Sequence, residues 1–352
     1  MVKLALGALV SLLFLLAPAC AAKVEGSAHT ASAKKHVVKK AGVKRKAPAM
    51  AASAARPRAV RHVAVVRGKR VVMYRNVRNA HALAAPAARS AGDVAGLHLT
   101  RDPLALASNV ALVLDQSNSE ILFEKNANVA LPIASITKLM TGLVVVLAQQ
   151  DMHEVLTVTD ADVDLEKHTS SRLRVGARMT RGDLLHIALM SSENRAASAL
   201  GRNYPGGITA FVAAMNAKAL QLGMNDTRYV DSSGLSSRNV ASARDLAKLA
   251  MVAHQEPLLR EYSTDPKYQV DAGGRLMHYS NTNYLVASPD WQIGLQKTGF
   301  INEAGRCLVM QTMIQGRAVI MVFLDSKGKQ SRTADAGRMR RWLEALKPPG
   351  VG

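Results

Sequence analysis

The sequence has 352 residues, with 46 Lys and Arg against 26 Asp and Glu, a formal net charge of +20, 4% aromatic residues and two cysteines. That length can bury a sizeable core in one large domain or two modest ones. Two cysteines exclude a disulfide-built scaffold and a cysteine-ligated zinc site.

The charge is not spread evenly. Residues 23–107 carry a net +15, whereas residues 108–352 carry only +4. An average of +20 would point to nucleic acid or another polyanion, but here the basicity belongs to one segment.

Lys3 precedes an apolar run, Leu4 to Leu16, and then Ala17-Pro18-Ala19-Cys20-Ala21-Ala22. A positive start, a short apolar stretch and small residues after it predict a secretory signal peptide over residues 1–22. The run is shorter than the roughly 20 residues of a membrane span. Cleavage after Ala19, Ala21 or Ala22 fits, and a lipid-modified Cys20 is the alternative. Loss of Cys20 with the signal would leave Cys307 with no partner for an internal disulfide.

Residues 23–107 hold 22 Ala and 18 Lys and Arg, with Tyr74 as the single aromatic. Such a segment buries too little apolar surface to offset its ordering entropy, so a disordered basic arm is expected. Val60 to Tyr74 is the one stretch with strand character. The arm reads either as a tether to anionic envelope polymers or a membrane surface, or as a solvated spacer. Nucleic acid is not an expected partner, since export removes it and interleaved aromatics are missing.

A folded domain is expected over residues 108–347, with a short tail at 348–352. Val110–Leu114 and Ile121–Phe123 flank a polar turn and predict a β-hairpin. Ser135–Gln149 has helical spacing through Ile136, Leu139, Met140, Leu143 and Leu147. Thr180 and Asp183 resemble a capping box ahead of another helix. Helices are also predicted at Gly207–Leu222, Ala243–His254 and Arg338–Leu346. Strands are predicted at Ile293–Gln296, Cys307–Ile314 and Val319–Leu324. Strands at both ends with helices between them define an α+β class, with an antiparallel sheet built from the terminal segments.

Three short motifs carry chemistry. Ser135-Ile136-Thr137-Lys138 puts a hydroxyl and an amine three residues apart on one helical face, where the amine can activate the serine. The pattern alone also reads as a helix cap and a surface lysine. It recurs at Ser32–Lys35 and Ser326–Lys329, but only the Ser135 copy heads an apolar-faced helix. Ser192-Glu193-Asn194 offers a second hydroxyl and a carboxamide in a break between helices, or simply a helix cap. Lys297-Thr298-Gly299 closes an apolar strand, where a cation and a hydroxyl can hold a carboxylate and glycine admits a substrate backbone. Each motif is weak alone, and the ordered set is specific.

The set is the one shared by penicillin-binding proteins and class A β-lactamases. Residues 109–346 resemble the serine D-alanyl-D-alanine peptidases of low-molecular-mass penicillin-binding proteins, and within them the endopeptidases. The likeness extends to Leu189–Ala197, Tyr204–Gly207, Ala214–Lys218, Asn281-Thr282-Asn283 and Lys297–Phe300. The resemblance implies a β-lactamase/transpeptidase-like fold and a periplasmic, cofactor-free and metal-free enzyme of cell-wall remodelling. Its implied partners are peptidoglycan stem peptides, with β-lactams as covalent inhibitors. It implies Ser135 as nucleophile, Lys138 as its base, Ser192 and Lys297 as a proton relay, and Asn194 as a positioning group. Thr298 and Gly299 would bind substrate, and the backbone amides of Ser135 and Phe300 would form the oxyanion hole. Some members place an arginine after the last core strand to hold the substrate carboxylate. Here that stretch reads Asp325-Ser326-Lys327-Gly328, a departure from that pattern, and weaker dependence on a free C-terminal carboxylate would suit an endopeptidase.

Two rivals are weighed. Class A β-lactamases resemble this chain but use a glutamate downstream of the second motif for deacylation, and no Glu occurs between Glu193 and Glu256. A non-catalytic wall-binding protein would not need the complete motif set. His153-Glu154 lacks the second histidine of a zinc helix, having Thr157 in its place.

Overall fold

The computed structural model describes residues 59–66, 69–76 and 89–346. The expected signal segment, most of the expected arm and the tail lie outside the described residues. Ala59–Val66 and Lys69–Asn76 pair as an antiparallel hairpin, in the stretch where strand character was expected.

Five antiparallel strands form the sheet of the folded unit: β1 (Ser108–Asp115), β2 (Ile121–Lys125), β3 (Gln292–Ile301), β4 (Gly305–Ile314) and β5 (Arg317–Ser326). Their order is β3-β4-β5-β1-β2, so the two ends of the unit share one sheet. Every residue of β1 is buried, because both faces of the sheet are covered. Val110, Leu112 and Leu114 face one apolar cluster, and Ala111 and Val113 face another, as the two-residue period of a strand requires. The second cluster is closed by α7 (Ser331–Ala345) through Ala336, Met339 and Leu343. Cys307, inside β4, is fully buried and has no disulfide partner among the described residues, and burial pushes its thiol up to about 12.

The first cluster is shared with the intervening helices: α1 (Thr137–Leu147), α2 (Arg181–Met190), α3 (Asn194–Arg202), α4 (Gly207–Gln221), α5 (Ala243–Ala253) and α6 (Pro257–Thr264). α1 is buried over most of its length, with Leu139, Met140 and Leu143 fully enclosed. Thr180 caps α2 by accepting from the Asp183 amide at 3.0 Å. A small hairpin, Lys267–Asp271 with Leu276–Ser280, follows α6.

Two expectations need correction. β3 does not stop at Gln296 but runs to Ile301, so Lys297-Thr298-Gly299 lies inside an edge strand. The ordered unit also begins before residue 108. Ser90 donates to Asp325 Oδ2 at 2.8 Å, and Leu106 is buried. Asp102 pairs with Lys125 at 2.9 Å, with both side chains nearly enclosed. Polar anchors order residues 89–107, and an alanine-rich average conceals them.

Candidate active site

Ser135 sits in a tight turn, Ala134–Ile136, immediately ahead of α1. Ala134 is held at φ +48° and Ser192 at φ +63°. Non-glycine residues in that region store about 1–3 kcal/mol of strain, which packing must hold in place. The Ala134 carbonyl accepts from Thr137 Oγ1 at 2.8 Å, and Gly234, at φ +81°, packs directly on it.

Lys138, one turn into the helical segment, is 1% exposed. Its Nζ donates to Ser135 Oγ at 2.8 Å, to Asn194 Oδ1 at 2.8 Å and to the Ser233 carbonyl at 2.6 Å. Burial lowers its pKa to about 7, against the opposing pull of Asp231 and Glu193. The amine therefore bridges the first and second motifs in a form able to accept a proton near neutrality.

Asn194 begins α3, and its Nδ2 donates to Thr169 Oγ1 at 3.1 Å. Glu193 hydrogen-bonds neither amine: its Oε1 accepts from Ser171 Oγ at 2.6 Å and from the Arg195 amide at 3.3 Å. It serves as the helix cap.

Lys297 is fully buried, and its Nζ donates to Ser192 Oγ at 2.9 Å and to the Thr298 carbonyl at 2.9 Å. Burial first, and then the charges of Lys138 and Arg332, hold this amine well below the usual lysine range. Thr298 Oγ1 lies 2.5 Å from Thr282 Oγ1. Gly299 is required by proximity. A methyl group there would fall 2.9 Å from the Ile133 carbonyl oxygen and 3.1 Å from the Ser135 amide nitrogen. Phe300, half exposed, stacks under the Arg306 guanidinium at 4.5 Å. Hydrogen bonds join Ser135, Lys138 and Asn194 in one set and Ser192 and Lys297 in another. Thr298, Gly299 and Phe300 follow Lys297 along β3.

Three contributors were not singled out by the motifs. Thr282 also donates, from its amide, to the Met190 carbonyl at 3.0 Å, tying the end of α2 to β3. Its place in Asn281-Thr282-Asn283 was the available signal. The Asp231–Ser236 loop supplies the Ser233 carbonyl to Lys138. Asp231 holds that loop, accepting from the amides of Ser233, Gly234 and Ser236 at 2.6, 2.6 and 3.0 Å. Arg332, in the first turn of α7, donates to the Gly299 carbonyl at 2.9 Å. The arginine comes from the helix after the sheet, not from the stretch that follows β5.

A serine paired with a buried lysine, a second serine–lysine pair and a glycine-bearing edge strand define a serine acyl-transfer site. It lies on an antiparallel sheet packed with helices. A family model described as D-alanyl-D-alanine carboxypeptidase matches residues 98–328. The chain is 49% identical over 252 residues to a D-alanyl-D-alanine endopeptidase of Pseudomonas aeruginosa, covering 71% of this chain and 80% of that one. It is 43% identical over 244 residues to a D-alanyl-D-alanine endopeptidase of Escherichia coli, covering 69% and 79%. The crystal structure of the Streptomyces K15 DD-transpeptidase matches with a TM-score of 0.64 at 27% identity, covering 70% of this chain and all of that one. The chain belongs to the D-alanyl-D-alanine carboxypeptidase family of serine peptidases, the low-molecular-mass penicillin-binding proteins. Its fold is the β-lactamase/transpeptidase-like α+β fold.

Proposed function

We propose that the chain hydrolyses D-Ala-containing cross-links of peptidoglycan stem peptides through an acyl-enzyme on Ser135. The observation that carries this is Lys138, whose buried amine touches both Ser135 Oγ and Asn194 Oδ1 and titrates near neutrality. The neutral amine takes the proton as Ser135 Oγ attacks the D-Ala carbonyl. The developing oxyanion faces the amides of Ser135 and Phe300, where fixed donors act without reorganisation. Lys297 and Ser192 pass a proton to the departing amine, and water then releases the acyl group. Thr298 holds the carboxylate beyond the scissile bond, and Arg332 reinforces that end of β3.

The endopeptidase preference rests on the relatives that bear that name. A β-lactamase would need a base for deacylation. Asp231 gives its oxygens to its own loop, and Glu193 caps α3, so penicillin should remain attached. For location, we infer export by residues 1–22, a periplasmic site of action, and a basic segment serving as a tether or spacer at the envelope.

Digestion of purified cross-linked and uncross-linked muropeptides by the wild type and by Ser135→Ala tests the assignment. Conversion of dimers to monomers by the wild type alone is expected. Release of terminal D-Ala only would defeat the endopeptidase preference, and cleavage by Ser135→Ala would defeat the mechanism.

A further inference from the structure

Arg172 occupies an unusual place. Its neighbour Ser171 donates to Glu193, the residue between Ser192 and Asn194, at 2.6 Å. Its other neighbour, Leu173, accepts from Arg195 Nη1 at 2.7 Å through its carbonyl. Arg172 itself donates to the His278 carbonyl at 2.9 Å and lies over the Tyr279 ring at 4.5 Å. Three residues beyond Tyr279 comes Thr282, which touches Thr298. Arg172 therefore links two segments that each lead directly into the acyl-transfer site.

The guanidinium is exposed yet pinned. Arg174, Arg178 and Arg275 are also exposed in the same two segments. No ion pair engages any of the four among the described residues. Asp271 accepts from the Gly274 amide at 2.6 Å, and Glu193, in the second motif, accepts from Ser171 Oγ. Arg172, Arg174 and Arg275 line one hollow of about 190 Å³, floored by Ala177 and Met277. A stacked guanidinium with free donors is pre-organised for a carboxylate, since little side-chain freedom remains to be lost on binding.

We propose that Arg172, with Arg174 and Arg275, forms a subsite for a carboxylate of the peptide substrate outside the reacting D-Ala unit. It rests on the function proposed above and adds a specificity determinant on the two segments that lead into that site. The recognised group is a carboxylate, because guanidinium groups without an ion-pair partner among the described residues line the hollow. The peptide is its source because the segments carrying them contact Glu193, Arg195 and Thr298 through Ser171, Leu173 and Thr282.

The test uses two synthetic cross-linked stem peptides that differ only in amidation of the carboxylates outside the D-Ala unit. The wild type should prefer the free-acid peptide by about 10-fold in kcat/KM, expressed mainly in KM, as a charge-assisted contact predicts. Arg172→Gln and Arg275→Gln should bring that ratio close to one. Arg275 makes no side-chain hydrogen bond among the described residues, so its variant keeps the test decisive if Arg172→Gln fails to fold. An unchanged ratio in either folded variant, or no preference in the wild type, overturns the proposal. So does an unchanged ratio with weakened retention on a polyphosphate resin, which would assign the patch to a polyanion. Ser135→Ala on the same two peptides separates the two claims. Residual cleavage there counts against the serine mechanism and leaves the ratio as an independent result.

Discussion

Gly234 lies against the carbonyl of Ala134 so closely that a methyl group on the glycine would fall 1.9 Å from that oxygen. The contact fixes the left-handed Ala134, and with it the turn that presents Ser135. Gly234→Ala should therefore reduce the acylation rate by more than ~10-fold, by displacing that turn and adding strain at a positive φ. Labelling with a fluorescent penicillin, followed in time, measures it. Unchanged labelling would show that the Ala134 carbonyl does not position the nucleophile.

The pH profile follows from burial of Lys138. Below about 7 the amine is protonated and cannot take the serine proton, so kcat/KM should rise through an ascending limb near 7. The stability effect has a definite sign. A lysine depressed in the folded state binds fewer protons there than in the unfolded chain, between about 7 and its ordinary value of 10.5. Stability should accordingly gain from this group as pH rises across that window. Lys297 acts in the same direction.

Asn194→Asp separates position from charge. A carboxylate facing the Lys138 amine would favour its charged form, so the ascending limb should move to higher pH by about one unit or more. Asn194→Ala should lower kcat/KM by roughly 10- to 100-fold without that displacement, since it removes the Lys138 acceptor and the Thr169 donor but adds no charge. Rate profiles from pH 5 to 10 distinguish the two.

The early boundary of the folded unit predicts a stability effect far from the chemistry. Lys125 and Asp102 are 5% and 6% exposed, and Lys125 has one further acceptor, the Ser108 carbonyl at 3.0 Å. Asp102→Ala leaves that amine buried without its counter-charge and should cost about 3–5 kcal/mol in urea unfolding. A chain starting at residue 89 should unfold like the full chain, and one starting at residue 108 should not.

Much of the sheet was legible because β1 and β5 are buried on both faces, and so are written as near-continuous apolar runs. The helix after Ser135 was legible from its apolar stripe. The three motifs were informative only as an ordered set, since spacing cannot show that Lys138 is desolvated or that Asn194 meets it. Arg332 was missed because it reaches the Gly299 carbonyl from a separate helix, a relation set by sheet-to-helix packing and not by local pattern. Residues 89–107 were misassigned because Ser90, Asp93 and Asp102 act through individual polar contacts that segment composition averages away. The small hairpin at 267–280 alternates too briefly to stand out.

Peptide mapping by mass spectrometry after exposure to a penicillin tests the central claim most directly. The account predicts one covalent adduct, on the peptide containing Ser135, persisting for many minutes and lost in Ser135→Ala. Rapid return of unmodified enzyme with hydrolysed penicillin, or an adduct on another residue, would contradict it.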